Sequence, residues 1–329
     1  MTTNQPKTKL PNARRTPRFA GIATFCRFPR LDDVEPANQP VDWALYGVPF
    51  DAGVTYRPGA RFGPRAIRDA SQYIKPVNPE LDVNIAETFS LADAGDAPVN
   101  PYSCEQNQQT VAQFATNIAT KDHTRLFAVG GDHSIAYANI KATYERLGRP
   151  KDGLAMLHFD AHLDTTDVVW DHKWTHASPF IRAIEDGLIN PKRMLSMGIR
   201  GPLNSANDLE FGRANGVRIL TAEQCRRGEA SSEITNFINE IGETPTYLTF
   251  DIDCVDPAYA PGTGTPCCGG FTSSESIDLV RQCRGANIVG ADLVEVLPDR
   301  DHADITSLLA SHIVFEILSI AAWREEHAR

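Results

Sequence analysis

No run of this sequence approaches the roughly eighteen consecutive apolar residues of a membrane span. Cysteine occurs at 26, 104, 225, 254, 267, 268 and 283, an odd number with no CxxC spacing. In a chain of 329 residues this argues against a disulfide framework, and for reduced thiols in a cytoplasmic setting. Basic residues are the minority, 32 Lys and Arg against 42 Asp and Glu, for a formal charge of −10. Such a surface argues against nucleic acid and membranes as partners and tolerates a cationic ligand. The opening stretch MTTNQPKTKLPNARRTPRF has no apolar core, so no signal peptide is expected. No internal repeat, low-complexity tract or linker follows residue 40.

What is present is a regular alternation. Residues 1–40 read as an irregular arm, and 41–329 as one catalytic domain. Apolar, β-branched runs begin at Trp43, Arg125, Leu154, Arg193, Val217, Thr246 and Asn287, and a weak eighth precedes DAGDAP. Helical patterns lie between them. One starts at Ser134 as N-cap and stops at Gly148; others run from Ser273 to Arg284 and from Asp304 to Trp323. Strands that are apolar almost throughout, alternating with helices, specify an α/β domain with a mostly parallel, roughly eight-stranded sheet covered on both faces. That is a three-layer αβα arrangement.

Ligands of open parallel sheets bind beyond the carboxyl ends of the strands. The polar clusters GGDHS, DAHLD, DIDCVDP and EVLPDRD all fall there. In LHFDAHLD, His158, Asp160, His162 and Asp164 alternate with apolar residues, so they share one side of an extended segment. Taken singly, each cluster has a plain reading: an Asp after a strand caps a helix, and a strand histidine is a hydrogen-bonded core residue. His158 lies deeper in its strand and reads as a supporting or core residue. Three clusters at three strand ends point instead to convergence of His133, Asp160, His162, Asp164, Asp251 and Asp253. Four clustered carboxylates cannot all stay ionised unaided, because like charges raise one another's pKa. Two divalent cations would balance them. Imidazole with carboxylate suits Mn, Ni, Fe, Co or Zn better than Ca or Mg.

The motifs GGDHS, HFDAHLD and TFDIDCVDPAYAPGTGTP resemble the signatures of the ureohydrolases, the family of arginase, agmatinase and guanidinobutyrase. The likeness extends from GVPFDAGVTYRPGARFGPRAIRDAS to ADLVEVLPDRDHADIT, and the agmatinase-like branch fits better than arginase. It implies an arginase-like fold and a metal-dependent amidinohydrolase that cleaves a guanidino group with two divalent ions per chain. Mn2+ is the first expectation and Ni2+ the alternative. His133, Asp160, Asp164 and Asp251 would hold one ion. Asp160, His162, Asp251 and Asp253 would hold the other. Glu295 would pair with the guanidinium, and His176 would be the catalytic or proton-shuttling histidine. The resemblance also implies homo-trimers or homo-hexamers, with a paralogous partner subunit as the alternative.

The substrate class follows as a small cationic guanidino compound of the agmatine or 4-guanidinobutyrate type, hydrolysed to urea and an amine. Relatives commonly carry glycine where Ala177 follows His176, and VVWDHKW places Trp170, His172 and Trp174 on the same loop. Those tryptophans pack either the loop or a subunit interface, or they wall a narrow pocket for guanidine itself or an N-alkylated guanidine such as metformin. A phosphoesterase would show clustered arginines beside the motifs. RPGARFGPRAIR reads instead as turn and helix-start structure. A deacetylase needs a single metal, and a structural subunit would have lost ligands. Cys267 and Cys268 read as incidental packing.

Overall fold

The computed structural model describes residues 6–119 and 123–327. The first residues of the arm and the last two of the domain therefore lie outside the described residues. The strands are β1 (Trp43–Val48), β2 (Val77–Asn78), β3 (Val83–Asn84), β4 (Leu91–Asp96), β5 (Arg125–Gly130), β6 (Leu154–Phe159), β7 (Ile189–Ile199), β8 (Arg218–Thr221), β9 (Thr246–Asp251) and β10 (Ile288–Val294). The helices are α1 (Gly63–Ala70), α2 (Ile85–Thr88), α3 (Cys104–Ile118), α4 (Ala136–Arg146), α5 (Pro179–Glu185), α6 (Glu210–Asn215), α7 (Ala222–Arg226), α8 (Glu229–Ile241), α9 (Ser273–Gln282) and α10 (Ile305–His327).

Eight strands form one sheet in the order β4-β1-β5-β10-β9-β6-β7-β8, with every pairing parallel. Period-two alternation explains how one sheet feeds two cores. Phe127 and Val129 of β5, Leu157 and Phe159 of β6, and Leu248 and Phe250 of β9 pack under α8, α9 and α10. Leu126 and Ala128 of β5, Met156 of β6 and Tyr247 of β9 face the α3–α5 side.

The eighth strand runs through LADAGD itself rather than stopping before it. Its polar letters disguised it: Asp93 is buried, and Arg68 donates from Nε to its Oδ2 at 2.8 Å. The N-cap ahead of α4 is Asp132, not Ser134. Asp132 accepts from Ser134 N at 3.1 Å, and a 3-10 turn over His133–Ile135 leads into the helix. The α9 start is a capping box, with Thr272 bonded to the N–H of Glu275 at 3.1 Å.

Helix α10 is long and apolar enough to cross a membrane, but 83% of its apolar window is buried inside the molecule. It is the central helix of its layer, packed on β10, α1 and α9. The described part of the arm contains only 3-10 turns. It is nevertheless docked: Phe25 and Phe28 enter the main core, and Thr8 donates its hydroxyl to Phe89 O at 2.6 Å.

Candidate metal centre and active site

The four central strands β5, β10, β9 and β6 lie side by side. Each delivers polar side chains from the loop after its carboxyl end, and neighbouring strands are only about 4.8 Å apart. The close packing starts in the backbone. A Cβ on Gly131 would sit 2.2 Å from Phe50 O, so only glycine lets the loop after β5 press against the end of β1. Asp132 then caps the turn and also accepts from Gly53 N at 2.8 Å, which aims His133 inward.

His133 Nδ1 lies 3.1 Å from Asp160 Oδ2, 2.9 Å from Asp164 Oδ2 and 3.2 Å from Asp251 Oδ2. None of these contacts has hydrogen-bond geometry, and the buried Nδ1 has no partner. One ring nitrogen and three carboxylate oxygens thus face one point. Beside it, His162 Nδ1 is 3.0 Å from Asp253 Oδ2 and 3.5 Å from Asp160 Oδ1. Asp160 therefore has one oxygen on each side. These imidazole and carboxylate donors suit hard-to-borderline divalent cations in chemistry and in charge. His158 supports Asp160, with Nε2 at 3.0 Å from Oδ2 and Nδ1 on Ser196 Oγ at 3.0 Å.

Without cations the carboxylates divide. Burial, then neighbouring Asp253 and Asp160, push Asp251 well above the usual carboxylate range. Burial would raise Asp160 as well, but the imidazoles of His133, His158 and His162 outweigh it and hold this group well below. One cluster cannot keep every carboxylate charged without compensation.

Glu295 follows β10 with φ 65, a left-handed conformation that a side chain of this size seldom adopts. Its N–H donates to Gly131 O at 2.9 Å, and its Oε1 accepts from His133 N at 2.9 Å. His176 Nδ1 lies 2.8 Å from the same Oε1, while Glu295 Oε2 is buried without a partner. The backbone N–H and the side-chain hydroxyl of Thr55 both approach His176 Nε2, at 2.9 and 2.7 Å. Burial depresses the His176 pKa, but the Glu295 charge beside it wins and lifts it to about 9.

A cavity of about 460 Å³ opens over these groups. Thr55, Asp164, His176, Trp170, Leu203 and Asp208 are among its walls, and Ala177 lines it too. Among the described residues no lysine or arginine does. Trp170 and Asp171, with φ 49 and 64, form the tip of a tight hairpin closed by Val169 and His172. This carries the Trp170 indole to the rim, 71% exposed. Trp174 is elsewhere. It packs edge-on against Tyr137 with ring centres 4.8 Å apart, in the cluster beneath α4 and α5, and does not line the cavity. His172 is exposed on the hairpin.

Sequence reasoning missed Thr55, Asp132 and Asp208. Thr55 is inconspicuous inside GVTYRPG, Asp132 carries only the signal of a helix cap, and Asp208 has no motif around it. Cys267 is closer to the site than incidental packing implies, with Sγ 3.7 Å from His162 Nε2, whereas Cys268 is exposed. All seven cysteines are free thiols. The arginines of RPGARFGPRAIR serve structure: Arg61 pairs with Asp51, and Arg68 with Asp93 and Asp96.

Comparison with known proteins bears on this geometry. The arginase-family profile matches residues 41–319. Guanidinopropionase of Pseudomonas aeruginosa is 40% identical over 94% of this chain and 95% of its own length. The mitochondrial agmatinase of Gallus gallus is 36% identical over 94% and 88%. Proclavaminate amidinohydrolase of Streptomyces clavuligerus superposes with a TM-score of 0.85 at 36% identity, covering 94% of this chain and 99% of that one. The chain therefore belongs to the arginase family and is a metal-dependent amidinohydrolase of its agmatinase-like branch.

Proposed function

We propose that the chain hydrolyses the guanidino C–N bond of a small guanidino compound of the agmatine or 4-guanidinobutyrate type, giving urea and an amine. The observation that carries this is the unpartnered Oε2 of Glu295 near the ligand cluster, a buried carboxylate oxygen that no donor of the protein satisfies. His133, Asp160, Asp164 and Asp251 would hold one divalent ion, and Asp160, His162, Asp251 and Asp253 the other, Mn2+ first and Ni2+ as the alternative. When bound, such a pair neutralises the four carboxylates and lowers the pKa of water towards neutrality.

The protein's own groups do the rest. Glu295 fixes the guanidinium by a charge-assisted hydrogen bond to Oε2. Water adds to the guanidino carbon, the C–N bond breaks, and the departing nitrogen needs a proton. As an imidazolium, the form the Glu295 charge favours, His176 holds that proton on Nδ1, 2.8 Å from Glu295 Oε1, and is left as neutral imidazole once it has given it up. Thr55 keeps that ring in place from the other side.

The tail is read from the walls. A carboxylate tail would meet Asp208 and no described cation, whereas an ammonium tail is compatible with every charge there. Agmatine therefore ranks ahead of 4-guanidinobutyrate. A second reading rests on the Trp170 hairpin, whose indole at the rim suits a compact cation such as guanidine or an N-alkylguanidine. Urea release from Mn2+- and Ni2+-loaded protein across this panel tests both. A kcat/KM for 4-guanidinobutyrate at or above that for agmatine overturns the charge argument. We further propose that 41–329 acts as one catalytic domain within a homo-trimer or homo-hexamer, a paralogous subunit being the alternative; light scattering of the purified chain tests the assembly.

A further inference from the structure

Behind the metal ligands lies a polar network that the chemistry above leaves unused. It runs through the α4 side of the sheet, where Tyr46, Asn139, Tyr247, Thr249 and Asp292 are all fully buried. Its directions can be assigned from its ends. The carbonyl of Ala291 can only accept, so the Asn139 atom 2.8 Å from it is the amide nitrogen. That nitrogen also donates to Tyr247 Oη at 2.6 Å, and the Asn139 oxygen accepts from Tyr46 Oη at 2.8 Å. Having accepted from Asn139, Tyr247 places its own hydrogen on Asp292 Oδ2 at 2.6 Å. At the other end, a His133 that presents Nδ1 to an ion must carry its ring proton on Nε2. This N–H meets Thr249 Oγ1 at 2.9 Å, and the Thr249 hydroxyl in turn donates to Asp292 Oδ1 at 2.6 Å. In that arrangement every donor has an acceptor.

We propose that Asp292, acting through the Thr249 hydroxyl, is a positioning residue for the metal centre, holding His133 in the tautomer and orientation that present Nδ1 to the ion. This rests on the metal reading of the site. Asp292 touches neither substrate nor ion. Its two oxygens accept from two hydroxyls, and the hydrogen of one of those hydroxyls is thereby kept off His133 Nε2. Take the carboxylate away and Thr249 is free to rotate and donate to Nε2, which drives the ring proton to Nδ1, where it blocks the ligand. A carboxylate or carbonyl behind a metal-bound imidazole typically matters by about 10–100-fold in affinity. Here the link has one hydroxyl in between.

The test is Mn2+ binding, read by competition with a chromophoric chelator on the full-length protein, independently of turnover. Wild type should bind two ions per chain. Thr249→Val and Asp292→Asn should each weaken one of the two sites about 10–100-fold and leave the other near wild type. Thr249→Ser, which keeps the hydroxyl, should restore affinity to within a few-fold. Tyr46→Phe breaks the far end of the same network without touching Asp292, and its Mn2+ affinity should stay at the wild-type value. If Thr249→Val does not fold, the Asp292→Asn and Tyr46→Phe pair decides. Wild-type affinity at both sites in Asp292→Asn overturns the proposal. Equal weakening by Tyr46→Phe and Asp292→Asn also overturns it, because general packing would then be the cause. A wild-type protein that takes up no Mn2+ fails the metal reading instead, so the two failures are distinguishable.

Discussion

Glu295 sits in a left-handed backbone conformation that costs of order 1–3 kcal/mol for a residue of its kind. The hydrogen bonds to Gly131 O, His133 N and His176 Nδ1 hold it there. Its proposed role differs in kind from that of the proposed ligands, and variants separate the two. Glu295→Gln should retain bound metal and lose turnover by at least about 100-fold, because a neutral amide replaces the charged acceptor. His176→Asn should also retain metal and lose about 10²–10⁴-fold in kcat, the usual range for a positioned proton donor. Asp251→Asn should lose metal and activity together. Elemental analysis beside urea release reads all three. Metal loss in the Glu295 or His176 variant would transfer that residue to the ligand set.

At the scale of elements, the loop between β6 and α5 assigns its two tryptophans to different tasks. Trp170 tops a hairpin that only left-handed residues can turn, while Trp174 lies against Tyr137 of α4. Trp170→Ala should change KM and tail selectivity with an unchanged Tm. Trp174→Ala should lower Tm and leave the ranking of substrates as it was. Differential scanning fluorimetry and the substrate panel tell the two apart, and a selectivity change in Trp174→Ala would overturn the assignment. Helix α10 carries another, independent handle. Burial is the main cause that holds His312 below its usual value; Arg281 and Lys75 add to this, and Glu316 opposes it. A histidine with a depressed folded pKa binds fewer protons folded than unfolded. Its contribution to stability is therefore present above the ordinary histidine value of 6.5 and is lost as pH falls below it. Tm should fall as pH drops below about 6.5, more steeply in wild type than in His312→Gln. Identical pH profiles would remove His312 from the account.

Across the whole molecule, four adjacent strands carry their acidic and imidazole groups to one point, so the cluster is a liability to folding until cations occupy it. Chelation should lower Tm and Mn2+ should restore it. An ion at 100 times its Kd is worth about 2.7 kcal/mol to the native state. A Tm indifferent to chelator and metal would show that the carboxylates are compensated in some other way.

The sequence by itself determined the layers and the ligand types. Continuous apolar strands demanded a parallel sheet, and the residue types of DAHLD marked a cluster, but the expected strand alternation stops at Phe159: beyond it Asp160 accepts from His162 N at 2.6 Å and Asp164 turns with φ 52. The sequence also marked the eighth strand only faintly, because the partner that neutralises Asp93 is Arg68, a residue from another element. Periodicity is local, and it says nothing about which strands are neighbours. The order β5-β10-β9-β6, which sets His133, Glu295, Asp251 and Asp160 side by side, came only from the tertiary structure. So did the fate of Trp170 and Trp174, and the line of hydrogen bonds from Tyr46 to His133. Those depend on groups far apart in the chain meeting across a packed core, where each buried polar atom must find a partner and only one arrangement satisfies them all.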